Sequence, residues 1–123
     1  MTTDASADRP AAGTPAVRRF GSVIGLRPER AEEYLALHRA VWPSVLAMIE
    51  ACNIRNYSIY RYGDLLFSSF EYVGTDYDAD MERMAADPET QRWWDVCKPC
   101  QQQTDDAGPG EWWTSIPEIF HCD

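Results

Sequence analysis

Histidine is scarce in this chain, with two among 123 residues, and no run of residues is apolar for long enough to cross a bilayer as a helix. Phosphate-cradling glycine motifs are missing as well. There is no Gly-x-Gly-x-x-Gly opening a helix and no Gly-x-Ser-x-Gly elbow for a serine nucleophile. Positive charge is in short supply: 11 Lys and Arg face 20 Asp and Glu, for a net charge of −9, and the basic residues are scattered. Such a surface repels phosphate backbones and anionic lipid, so neither nucleic acid nor a membrane is an expected partner. The opening "MTTDASADRPAAGTPA" has neither a basic leader nor an apolar core, so it does not read as an export signal. A cytoplasmic setting is therefore expected, with the four cysteines as thiols rather than disulfides.

What is present is ordinary for a globular protein: 45% hydrophobic and 25% charged residues. The length suits one domain with a real core. Residues 1–16 are small, polar and proline-bearing and read as a flexible tail; 17–123 read as that domain.

Periodicity supplies the elements. "VRRFGSVIGL" (17–26) alternates around Phe20, Ile24 and Leu26, as a strand does. Pro28 and Glu29 open a helix whose apolar stripe runs from Tyr34 to Ile49, with a kink expected at Pro43. "IRNYSIYRY" (54–62) and "LLFSSFEYV" (65–73) flank Gly63-Asp64, which is a hairpin signal. A helix follows with Thr75 or Asp76 as its cap, then a third from Pro88 to about Lys98, capped by Asp87 and stopped by Pro99. "QQQTDDAGPG" reads as a loop and "SIPEIFHCD" as a short last strand. The order β-α-β-β-α-α-β closes most simply as an α+β, ferredoxin-like βαββαβ antiparallel sheet with helices on one face. Its other face needs cover, and a second copy of the chain would supply it.

His38 is the leading candidate for chemistry. Helical spacing sets it between Tyr34 and Trp42 on one face, and an imidazole titrates at ~6.5, close to neutrality. The competing reading is a packed histidine tied to a backbone carbonyl. "NYSIY" (56–60) carries Tyr57 on a strand, where tyrosine is ordinary packing. "QRWWD" (91–95) is less ordinary. Trp93 and Trp94 diverge by roughly 100° around a helix and so suit two walls of one pocket. Indole faces with N–H groups at their rims match a sugar, whose C–H faces stack while its hydroxyls bond. Two large core residues would give the same pattern. "CKPC" (97–100) closes a helix instead of opening one, which disfavours a redox pair, and zinc would need Cys52, His121 or Cys122 in addition.

Taken together, "EEYLALHRAVWP", "NYSIY", "LLFSSFEY", "RWW" and "EIFH" resemble the L-rhamnose mutarotase family from about Phe20 onward. The resemblance implies a cytoplasmic, homodimeric, cofactor-free protein of the dimeric α/β barrel type, with no metal, that interconverts sugar anomers. It further implies His38 as the catalytic proton donor, with Tyr34, Tyr57, Trp93 and Trp94 contacting the sugar. It gives His121 and the cysteines no role. Two stretches depart from the family pattern, "GTDYDADMERMAADPET" and "CKPCQQQTDDAGPGEWW". Some relatives act on L-fucose, so the monosaccharide stays open between L-rhamnose and L-fucose. Two other readings also stay open: a dimeric ferredoxin-like monooxygenase with His38 on a haem, and a non-catalytic sugar-binding module.

Overall fold

A computed structural model describes residues 16–123. The expected tail, residues 1–16, lies outside the described residues apart from Ala16. Two long strands, β1 (Arg18–Leu26) and β3 (Leu65–Tyr72), form the middle of one antiparallel sheet. Strand β2 (Ile54–Tyr62) pairs with the far edge of β3. The free edge of β1 takes two short strands, β4 (Gln101–Gln102) and β5 (Thr114–Ile116). The order β2-β3-β1-β4 is that of the expected ferredoxin-like α+β fold.

Alternation decides which face is buried. Pairing sets Phe20 against Phe70, Ser22 against Ser68 and Ile24 against Leu66, all on the helix-covered face. Ile24, Leu26 and Leu66 are almost wholly buried there, each side chain contributing about 1.5–3 kcal/mol. The hairpin between β2 and β3 turns on Gly63 at φ 56°, as the first loop residue of a primed turn requires.

Four helices cover this face: α1 (Ala31–His38), α2 (Pro43–Ala51), α3 (Tyr77–Ala86) and α4 (Pro88–Cys97). The single kinked helix expected through Pro43 is instead two helices. Trp42 is extended at φ −62°, ψ 134°, because the proline ring crowds a helical residue before it, and Pro43 then starts α2. Helix α3 is capped by Asp76, whose carboxylate accepts from the Ala79 N–H at 3.1 Å. Asp87 caps α4 through the Thr90 N–H (2.9 Å) and hydroxyl (2.8 Å). Two other expectations need correction. The loop expected from Gln101 begins with strand β4, and the last strand ends at Ile116 instead of running on to Asp123. Pro117 follows it and has no N–H to extend the ladder.

Candidate active site

Helix α1 brings Tyr34 and His38 onto one face, and their rings stack with centroids 4.1 Å apart. Tyr34 is buried and His38 half-buried. His38 Nδ1 lies 2.8 Å from the Tyr34 carbonyl oxygen. A carbonyl only accepts, so Nδ1 carries the hydrogen and Nε2 is left with a lone pair. Burial lowers the His38 pKa below its ordinary 6.5, and the carbonyl bond offsets this in part. At neutral pH the ring is therefore an uncharged base. The packed reading of this histidine and the chemical one meet in a single geometry: one nitrogen is tied to the backbone, and the other makes no hydrogen bond among the described residues.

Helix α4 contributes the tryptophans. Trp93 is buried and meets His38 (centroids 5.3 Å apart) and Trp42 (5.2 Å) in T-shaped contacts. Trp94 points away by a little more than a right angle, is half-buried, and lines the same cleft as Trp93. Trp42 does not reach that cleft and instead backs Trp93.

Tyr57 arrives by an irregularity. Pairing runs Arg55 to Glu71 and then Ser58 to Ser69, so Asn56 and Tyr57 together face Phe70. This is a β-bulge, with Asn56 at φ 52° and its amide donating to Glu71 Oε1 at 2.7 Å. The extra residue swaps the parity of the strand, and Tyr57 turns to the helix side, its ring 5.7 Å from Phe70. Burial of its hydroxyl end pushes Tyr57 up to about 12, although the residue as a whole is 44% exposed. Burial likewise raises Tyr34, so both phenols keep their protons.

All five residues picked from the sequence line one cleft of about 590 Å³ between sheet and helices. That is well within the usual range for a small-molecule site, roughly 300–1,000 Å³. A smaller cleft of about 320 Å³ adjoins it and shares His38, Tyr57 and Trp93.

The lining residues not picked include Gln101, Trp112 and Trp113. The second tryptophan pair, in "EWW", was a usable signal because it repeats the pattern of the first. Gln101 carried none. Of the cysteines, Cys97 lines the cleft and burial pushes its thiol up to about 12, which leaves it unreactive. Among the described residues no three His, Cys, Asp or Glu side chains gather as a metal would need. His121 bonds Asp123 at 2.8 Å and takes no part in the cleft.

Residues 19–122 match the family model for L-rhamnose mutarotase. The chain belongs to the L-rhamnose mutarotase family. Members of that family are isomerases acting on carbohydrates. An L-rhamnose mutarotase of Oceanobacillus iheyensis is 28% identical over 109 residues, covering 87% of this chain and all of that protein. An L-fucose mutarotase of Xanthomonas campestris pv. campestris is 34% identical over 110 residues, covering 85% of this chain and 87% of that one. The crystal structure of an L-rhamnose mutarotase from Formosa agariphila matches the fold with a TM-score of 0.66 at 20% identity, over 86% of this chain and 99% of that one. Within the mutarotase family this chain thus resembles enzymes named for two different 6-deoxyhexoses.

Proposed function

We propose that this protein interconverts the α and β anomers of a 6-deoxyhexose, L-rhamnose in the first instance, with His38 as its general base and acid. The observation that carries the proposal is the neutral imidazole, tied at Nδ1 to the Tyr34 carbonyl and lining a cleft with two protonated phenols. Anomer exchange is proton transfer around one carbon. His38 Nε2 takes the proton of the C1 hydroxyl as the C1=O bond forms. The C1–O5 bond breaks and its electron pair stays on O5, which takes the proton back from the imidazolium. Both oxygens hang on C1, so one nitrogen serves both in turn. The aldehyde rotates about C1–C2, and the same steps in reverse close the ring on its other face. A phenol of Tyr34 or Tyr57 steadies the charge on the departing ring oxygen. No group changes oxidation state, and proton transfers suffice.

Trp93 and Trp94 give the sugar flat faces to stack on. A 6-deoxy sugar brings a methyl group, and covering it against indole contributes roughly 0.8 kcal/mol. L-fucose is the second reading, favoured by the 34% identity to a relative of that name. A cytoplasmic homodimer completes the proposal, and the uncovered aromatic residues on the sheet's outer face, Tyr60 and Tyr62, support its dimeric part.

Saturation transfer between the α and β signals in NMR tests the activity. Purified protein added to L-rhamnose or L-fucose is expected to speed exchange well beyond buffer alone, with D-glucose unaffected. No acceleration with either 6-deoxyhexose would overturn the reading.

A further inference from the structure

A buried amide beside the cleft has a fixed direction. The Trp112 indole N–H donates to Gln101 Oε1 at 2.6 Å, and an indole nitrogen can only donate. The amide oxygen must therefore face Trp112, which turns the amide nitrogen the other way. That nitrogen donates to the Tyr34 hydroxyl oxygen at 3.3 Å. With its oxygen engaged as an acceptor, the Tyr34 hydroxyl has its own hydrogen to give elsewhere, and the Tyr34 residue lines the cleft.

We propose that Gln101, held by Trp112, is a positioning residue that fixes the Tyr34 hydroxyl as a hydrogen-bond donor toward an oxygen of the bound sugar. This rests on the mutarotase reading and deepens it, because a donor is what the ring oxygen needs as its bond to C1 breaks.

The relay is held at each link. Gln101 is 4% exposed, its residue pairs with Leu26 across β1 and β4, and its carbonyl accepts from Arg27 Nε at 3.2 Å. Strand β4 comes that close because residue 25 is glycine: a Cβ there would lie 2.7 Å from the Gln102 carbonyl oxygen. The Trp112 ring is steadied by the Lys98 ammonium, 5.5 Å from its centroid and 5.8 Å from that of Trp94. The titratable groups near Tyr34 are His38 on its own helix, Tyr57 on β2, Cys97 at the end of α4, and Cys100 in the turn between α4 and β4. Burial keeps the phenol neutral, so it is a donor throughout the working range.

Gln101→Glu tests the direction of the bond. A carboxylate accepts from both neighbours, so Tyr34 must turn its hydrogen away from the sugar. The protonated acid restores the glutamine pattern, its C=O accepting from Trp112 and its O–H donating to Tyr34. At about pH 8 the variant's kcat for anomer exchange is expected to fall about tenfold with little change in KM. The ratio of variant to wild-type kcat is then expected to climb as the pH is lowered toward 5. Gln101→Met, which fills the same space with no donor, is expected to lower kcat without that recovery. A ratio that stays flat with pH, or a Gln101→Met variant with wild-type kcat, would overturn the proposal.

A readout independent of activity covers variants that fold poorly and a failed functional reading. The Trp112 indole N–H signal in ¹H–¹⁵N spectra is expected to move upfield in Gln101→Met. An unmoved signal overturns the relay. A wild type that accelerates no sugar, with that signal moved, overturns the mutarotase reading alone.

Discussion

The tautomer of His38 separates a packing histidine from a base. With Nδ1–H given to the Tyr34 carbonyl, the ring presents a lone pair, and burial keeps it unprotonated to a lower pH than usual. Activity should therefore hold level above about pH 6.5 and fall as acid protonates the ring below it. A pH profile of kcat/KM checks this; activity that rises on acidification would exclude a neutral base. Stability follows the same sign. The unfolded chain takes up its proton at ~6.5 and the folded ring later, so falling pH favours the unfolded state across that interval. Tyr34 and His38 were legible in the sequence because four-residue spacing on a helix is a strong geometric rule. Gln101 was not, because the direction of its amide is set by Trp112, eleven residues later in a loop with no periodicity.

At the scale of elements, the hairpin was readable from Gly63-Asp64 and the helix starts from Thr75-Asp76 and from Asp87, with Asp76 the one of its pair that caps. The kink expected at Pro43 is a full break, since proline constrains the residue before it as well as its own N–H. The β2 bulge was not readable: asparagine tolerates positive φ, yet one asparagine in a strand pattern does not announce it. That bulge turns Tyr57 inward. Asn56→Val sets a β-branched residue at φ 52° and is expected to lower stability by about 1–2 kcal/mol. It should also weaken sugar binding, as Tyr57 loses its place, while Asn56→Gly should retain it. Urea denaturation with calorimetric sugar titration checks both, and a valine variant matching wild type in each would show that the bulge does not matter.

For the whole molecule, the unfinished feature is the sheet face away from the helices. Tyr60, Phe67 and Val23 form a row straight across it, and Tyr60 and Tyr62 are 64% and 77% exposed. Monomers seldom leave such a face open, and a second copy of the chain would close it with like against like. Sedimentation equilibrium is expected to give about twice 14.0 kDa, and Tyr60→Arg to shift the protein toward monomer. A wild type that sediments as a monomer would contradict this. The cleft itself lies between the sheet and the helices of one chain.

One comparison bears most directly on the chemistry: saturation transfer between L-rhamnose anomers with wild-type protein and with His38→Ala, each checked by circular dichroism. The alanine variant is expected to keep the same spectrum and to lose exchange by about 10²–10⁴-fold. A correctly folded His38→Ala protein with near wild-type exchange would contradict the role of His38 as the group that moves the proton.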